Sequence, residues 1–136
     1  MLKKLLHTKP YALDTGLFLL RFSFGVLMLP YGWQKFQNYA EWSKDFPDPL
    51  HIGPAASLAL VVFAELLCAA LVAIGLFTRL ALIPLLINMI IIVLVVHGAD
   101  PFEKQEHGVL FLIPYVIIFL TGPGKYSLDH ALFTKR

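Results

Sequence analysis

Residues 54–96 read PAASLALVVFAELLCAALVAIGLFTRLALIPLLINMIIIVLVV, and this stretch decides the fold. Its only formal charges are Glu65 and Arg79. A bilayer-spanning helix needs roughly 20 predominantly apolar residues, and two such runs stand here back to back. Gly75-Leu76-Phe77-Thr78-Arg79 divides them. The glycine suits a left-handed helix terminus, and the threonine suits the start of the next helix. The reading is an apolar helical hairpin over residues 54–77 and 80–96.

Working outward, residues 15–33 form a further apolar run on the N-terminal side. On the C-terminal side the run 109–121 is short for a span. Its helix is expected to begin earlier, because Asp100-Pro101-Phe102-Glu103 reads as a cap, a proline at the first helical position and an early acid. That start places polar turns carrying Glu103, Glu106 and His107 ahead of the apolar part. Asp14-Thr15 can cap the first helix, Gly53-Pro54 can open the second, and Gly122-Pro123-Gly124 can end the fourth. Pro30, Pro84 and Pro114 fall inside these helices, which membrane helices tolerate when neighbours satisfy the freed carbonyls. The expected helices cover about 14–35, 54–77, 79–97 and 101–122. They make one all-α domain over residues 1–136, an integral membrane four-helix bundle with a long outer loop between helices 1 and 2.

Composition agrees. Of 136 residues, 58% are hydrophobic and 15% are charged, against about 25% charged in an average soluble domain. The mean hydropathy is +0.73, and a soluble domain of this length cannot hide that much apolar surface. A lone cysteine, Cys68, excludes a disulfide scaffold. A net charge of +2 leaves no footprint for nucleic acid. The first apolar run is long, carries Arg21 and lacks a small-x-small cleavage site, so it reads as a span and not as a signal peptide.

Lysine and arginine placement gives an orientation. With both termini in the cytoplasm, the inner side holds Lys3, Lys4, Lys9, Arg79, Lys125, Lys135 and Arg136, and the outer side holds Lys35, Lys44 and Lys104. The expected arrangement is multi-pass, with both termini in the cytoplasm. The outer loop, residues 36–53, carries Tyr39, Trp42 and Phe46 before Pro47-Asp48-Pro49. It reads as an interfacial aromatic belt or as a lid over an outward-facing cavity. The tail from Tyr126 to Phe133 suits a short capped amphipathic turn.

Three polar groups lie inside the expected spans. At ~1.5 Å per residue from the inner side, Arg21 lies about 10 Å deep, Asn88 about 14 Å and Glu65 about 18 Å. A charge at the bilayer centre costs about 2.5–3.5 kcal/mol on insertion scales, so these groups should face inward and share partners. Arg21, Gly25, Met28, Gly32 and Lys35 share one helix face, and Glu65, Cys68, Val72 and Gly75 share another. Side chains lean toward their own N-terminus, so on antiparallel helices Arg21 leans inward and Glu65 outward. A direct pair, a bridge through Asn88 or water, and a Tyr31 partner for Glu65 all remain open. So do two roles for the group: a structural ion pair, or a proton-carrying or quinone-binding carboxylate.

Metal and redox motifs are weak. His97, Asp100 and His107 fall together on the outer side, but His97-x-x-Asp100 matches no strong zinc pattern. Helix caps explain most of this cluster. Facing axial histidines, a second cysteine and a phosphate loop are all missing from the sequence.

Leu20-Arg21-Phe22 with Gly25, followed by Tyr31-Gly32-Trp33-Gln34-Lys35-Phe36, resembles the first-helix pattern of the DoxX family. Phe63-Ala64-Glu65-Leu66-Leu67 with Gly75-Leu76-Phe77-Thr78-Arg79 resembles its second-helix signature. Phe46-Pro47-Asp48-Pro49, His97-Gly98-Ala99-Asp100-Pro101-Phe102 and the segment from Gly122 to Asp129 resemble versions common in Bacteroidetes members. Many members have histidine where this chain has Tyr31. The resemblance implies a four-helix protein of a bacterial inner membrane. The family takes its name from a small subunit associated with thiosulfate:quinone oxidoreductase; other members are linked to oxidative-stress complexes, and distant relatives look like assembly chaperones.

The functional expectation is a membrane partner subunit of a redox or respiratory assembly, non-catalytic as an isolated chain or associated with a quinone or lipid. Arg21, Glu65, Asn88 and Tyr31 would form its polar site. The alternatives are an assembly or chaperone-like protein that grips other membrane proteins through its helices, and a small-solute or proton pathway. Expected partners are membrane lipid and another membrane protein or a second copy of the chain. A cavity touching Glu65 favours the first reading; a bundle packed solid around Glu65 favours the second.

Overall fold

The computed structural model describes residues 1–134 and is helical throughout, with no strand among them. Lys135 and Arg136, which entered the orientation count, lie outside the described residues. The helices are α1 (Leu2–Leu6), α2 (Leu13–Gln37), α3 (Tyr39–Trp42), α4 (Pro54–Ile74), α5 (Thr78–Val96), α6 (Phe102–Thr121) and α7 (Leu128–Phe133). Three of them, α2, α4 and α5, are long and apolar enough to cross a membrane. The fourth long helix, α6, opens with polar turns and packs along α5 and α2.

The hairpin sits where the sequence places it, with one adjustment. Helix α4 stops at Ile74, short of Phe77, because Gly75 takes the left-handed conformation at φ 75°. Leu76 N–H then donates to Leu71 O at 2.9 Å and Gly75 N–H to Val72 O at 3.1 Å. This pair of bonds satisfies carbonyls that a helix end otherwise leaves free. Phe77 is left-handed too, at φ 49°, so the chain reverses within three residues. The cap on α5 does not come from Thr78. It comes from Asp129, whose carboxylate accepts from Phe77 N–H at 2.7 Å and Thr78 N–H at 2.8 Å.

Two other expected caps also move. Asp14 lies inside α2, and its carboxylate accepts from Lys125 N–H at 3.1 Å. Pro101 occupies the cap of α6 and the helix starts at Phe102, while the Asp100 carboxylate turns to His97. The tail meets its expectation: Ser127 caps α7, accepting from His130 N–H at 3.2 Å.

Small residues bring the helices together. A side chain added at Gly25 would sit 2.7 Å from the Ala73 backbone, and one at Gly32 would sit 2.7 Å from the Glu65 backbone. Backbone approach of this kind drives helix association where burial of apolar surface cannot. Met28, Ala64, Cys68, Val72, Leu82 and Leu85 are among the residues that fill the core. Tyr115 of α6 is fully buried and donates to Phe24 O at 2.9 Å, tying α6 to α2. Leucine, isoleucine and phenylalanine side chains cover the outer surface, the arrangement a lipid environment stabilises.

Helices α4 and α5 pack closely near their connection and diverge at the far end, where residues 54–62 lean on α2 and α3 instead. Each helix contains a π-helical stretch, Phe63–Cys68 in α4 and Ile92–Val96 in α5. π-turns are rare and concentrate at functional sites.

Candidate functional site

Glu65 stands in the π-helical stretch of α4 and is 1% exposed. One carboxylate oxygen accepts from Lys35 Nζ at 2.7 Å. The other accepts from Asn88 Nδ2 at 2.9 Å. Three helices therefore meet at one carboxylate, with both of its oxygens engaged. Gly32 makes the meeting geometrically feasible: it lies against the Glu65 backbone, one turn before Lys35 on the same face of α2. Residues one turn apart on a helix share a face.

The sequence counts Lys35 among the outer-side charges, at the end of the first helix. In the structure its side chain reaches back along α2 and is 21% exposed. The signal was present in the stripe that ends at Lys35. Side chains lean toward the helix N-terminus, so on antiparallel helices Lys35 and Glu65 lean toward each other. The lysine stem packs along apolar surface while its head reaches a partner.

The same lean separates Arg21 from Glu65, which corrects the expectation that Arg21, Asn88 and Glu65 face one another. Arg21 is 1% exposed at the closed end of the hairpin. Its guanidinium donates to the carbonyls of Val72, at 3.0 Å, and Ala73, in the last turn of α4. It also donates to Pro123 O at 3.3 Å and to Tyr126 O in the segment before α7. A helix C-terminus carries partial negative charge and unpaired carbonyls, so a buried cation is well placed there. Arg21 thus ties the end of α4 to the chain after α6, and Asp129 ties that same chain to the start of α5.

A cavity of about 620 Å³ opens beside the Lys35–Glu65–Asn88 cluster. Its polar lining consists of those three residues with Tyr31, Ser57, His97 and His107. Its walls are apolar: Leu60 and Phe63 of α4, and Ile83, Ile87 and Ile91 of α5. Phe46, Pro47, Leu50 and Ile52 of the segment joining α3 to α4 lie across one side. The divergence of α4 and α5 creates this space, and the joining segment covers part of it.

That segment is held by Asp48. Its carboxylate accepts from Ser57 Oγ at 2.8 Å, Gly53 N–H at 2.8 Å and Ile52 N–H at 3.0 Å. Desolvation acts to raise the Asp48 pKa. The hydrogen bonds from Ser57, Gly53 and Ile52, helped by nearby His51, outweigh it and hold the group below its ordinary value. His51 adopts φ 56°, a left-handed conformation uncommon for a side chain of its size.

Tyr31 does not hydrogen-bond to Glu65; its ring packs on His107 at a centroid distance of 4.4 Å. His97 pairs with Asp100 at 2.8 Å and lines the same cavity as Tyr31 and His107. Among the described residues, no three His, Cys, Asp or Glu side chains converge on a point where a metal ion could sit.

Apolar helices of spanning length, small-residue packing and inward-facing polar groups define a small helical membrane protein. The DoxX family model matches residues 16–98, which include Arg21, Lys35, Glu65 and Asn88, and the chain belongs to the DoxX family. It is also 29% identical to an uncharacterized membrane protein of Mycobacterium tuberculosis (strain ATCC 25618 / H37Rv), over 83% of this chain and 78% of that protein. No solved structure matches the chain.

Proposed function

We propose that the protein is a membrane partner subunit of a redox or respiratory assembly, and that it holds a lipid-soluble molecule in the cavity beside Glu65. The observation that carries this reading is the cavity itself. Its volume of about 620 Å³ lies within the range of roughly 300–1,000 Å³ usual for small-molecule sites. Apolar walls with a few converging polar groups are the usual composition of such sites. A solid bundle around Glu65 would have favoured the assembly-factor reading instead.

A quinone fits the residues present. Lys35 Nζ retains hydrogen-bond donors beyond the one given to Glu65, and Tyr31 and His107 add donors at the same edge. These groups suit carbonyl oxygens, and the isoleucine-lined wall suits an isoprenoid tail. The quinone itself would supply the redox chemistry. The chain's own contribution is to seat and orient it for a partner.

The proposal extends to the membrane arrangement. Helix α6 serves as the fourth span, both termini face the cytoplasm, and the exposed apolar faces of the bundle meet lipid, a partner protein or a second copy. Purification in mild detergent, with identification of co-purifying proteins and extracted lipids, tests the functional reading. A quinone and redox subunits retained with the wild type, the quinone alone being lost in a cavity-filling Ile87→Trp variant, is the expected result. Retention of neither overturns it. Labelling of Lys44→Cys from the cytoplasmic side alone overturns the orientation.

A further inference from the structure

The Lys35–Glu65 pair faces a cavity and has no further formal charge bonded to it. Lys35 Nζ and Glu65 Oε1 are 2.7 Å apart, so the two charges cancel toward anything bound beside them. Asn88, which fills the second carboxylate oxygen, is neutral. Tyr31, Ser57, His97 and His107 complete the polar lining, and the Asp100 carboxylate beyond it is taken up by His97 at 2.8 Å. At the Lys35–Glu65–Asn88 cluster the occupant therefore meets donors and acceptors whose formal charges sum to zero.

The apolar side is open. Leu60, Phe63, Ile83 and Ile87 line the cavity and yet are 54%, 45%, 45% and 52% exposed. These residues lie on two helices that are long and apolar enough to span a membrane. The opening between them faces the bilayer sideways.

We infer that the Lys35–Glu65 pair is a charge filter, admitting amphiphiles with an uncharged hydroxyl or carbonyl head and rejecting those with an ionised head. This rests on the reading of the cavity as a ligand site and adds its selectivity. An anionic head would gain attraction from Lys35, lose it to repulsion from Glu65, and still bear the cost of leaving water. A neutral head accepts a hydrogen bond from the ammonium and bears no such cost. Removing the Glu65 charge leaves an uncompensated ammonium at the cavity wall, and the preference should invert.

The test uses the full chain in phosphatidylcholine nanodiscs and two photoprobes sharing one diazirine-bearing sixteen-carbon tail. One is the alcohol; the other is the sulfonate, which is anionic at every working pH. Labelled peptides are mapped by mass spectrometry. In the wild type, the alcohol should label peptides containing Leu60, Phe63, Ile83 or Ile87 at least about tenfold more than the sulfonate. Glu65→Gln should favour the sulfonate. Lys35→Met combined with Glu65→Gln carries neither charge and should return to the alcohol, which separates a charge effect from misfolding. If Glu65→Gln fails to fold, Lys35→Gln tests the same logic with a trimethylammonium probe of the same tail, which it should prefer over the alcohol. Cavity labelling with equal use of both probes, or a preference unmoved by these substitutions, overturns the filter and leaves the ligand site standing. No labelling of the cavity by either probe in the wild type overturns the ligand site and the filter together.

Discussion

Replacing Arg21 with methionine tests how the closed end of the hairpin is held. The guanidinium donates to four backbone carbonyls, those of Val72, Ala73, Pro123 and Tyr126, and is 1% exposed. Hydrogen bonds from charged groups contribute roughly 1.5–3 kcal/mol each, but four bonds from one head are not independent. Arg21→Met strands no charge; it leaves carbonyls short of a donor, at roughly 1–3 kcal/mol for a buried group left unpaired. Methionine keeps much of the side-chain volume, so the cavity contribution stays small. The expected loss is therefore about 2–4 kcal/mol, concentrated at the end of α4 and in residues 122–134. Unfolding in mixed micelles of increasing denaturing-detergent fraction measures the total, and hydrogen exchange measures where it falls. Combining Arg21→Met with Glu65→Gln should give additive losses within about 0.5 kcal/mol, since the two groups share no partner. A loss below about 1 kcal/mol, or a coupling between Arg21 and Glu65 above about 1 kcal/mol, would refute the assignment of Arg21 to the carbonyls.

Gly32→Ala drives a methyl group into the Glu65 backbone at 2.7 Å, and neither helix backbone can yield cheaply. It should cost about 1–3 kcal/mol, whereas Gly16→Ala, with nothing within 4 Å, should stabilise slightly; paired detergent melts compare them. Asp129→Ala removes the cap on Phe77 and Thr78 and should cost about 0.5–2 kcal/mol, with faster amide exchange at the first turn of α5. Asp48 has a depressed pKa, so its contribution is present above the unfolded value of about 3.9 and is lost as pH falls through the lower folded value. Proteolytic cleavage between residues 43 and 53 should therefore stay constant at neutral pH and rise on acidification, and Asp48→Asn should cleave readily at every pH. Cleavage of wild type and Asp48→Asn at equal rates near pH 7 would show that the carboxylate does not hold the segment.

The hairpin and its faces were legible because apolar periodicity reports burial directly. Arg21, Gly25, Met28 and Gly32 are all buried on one side of α2, and Glu65, Cys68, Val72 and Gly75 on one side of α4, as the spacing requires. Asn88 beside Glu65 was legible from depth alone. The partners of Arg21 were not, because they are main-chain carbonyls of a helix end and a distant loop, and any residue type presents a carbonyl. Asp129 as the cap of α5 was hidden for a related reason: local capping rules look a few residues away, and this cap crosses 51 and 52 positions. Lys35 was assigned by the position of its backbone, when the lean of its side chain decides its partner. The cavity has no sequence signature, since it follows from the divergence of two helices and from π-turns that ordinary helical periodicity does not distinguish.

The two cations on the inner face of α2, Arg21 buried and Lys35 partly exposed, act differently, and the difference bears on function. Arg21 meets Ala73 O in the last turn of α4 and adds a second bond to Val72 O, which already accepts from Gly75 N–H, so its burial helps repair a helix end short of donors. Lys35 and Glu65 repair nothing of that kind. Each is desolvated largely to meet the other, and apolar residues of similar volume could fill that space at no loss, often with a gain of about 1–4 kcal/mol. A pin that served packing alone would be the costlier solution. The pair stands instead at the one edge where the helices part, with Lys35 still 21% exposed and an apolar space of about 620 Å³ alongside. Rigidity at the closed end and polarity at the open end are complementary: Arg21 and Asp129 fix the pivot from which α4 and α5 diverge, and that divergence gives the Lys35–Glu65 pair something to face.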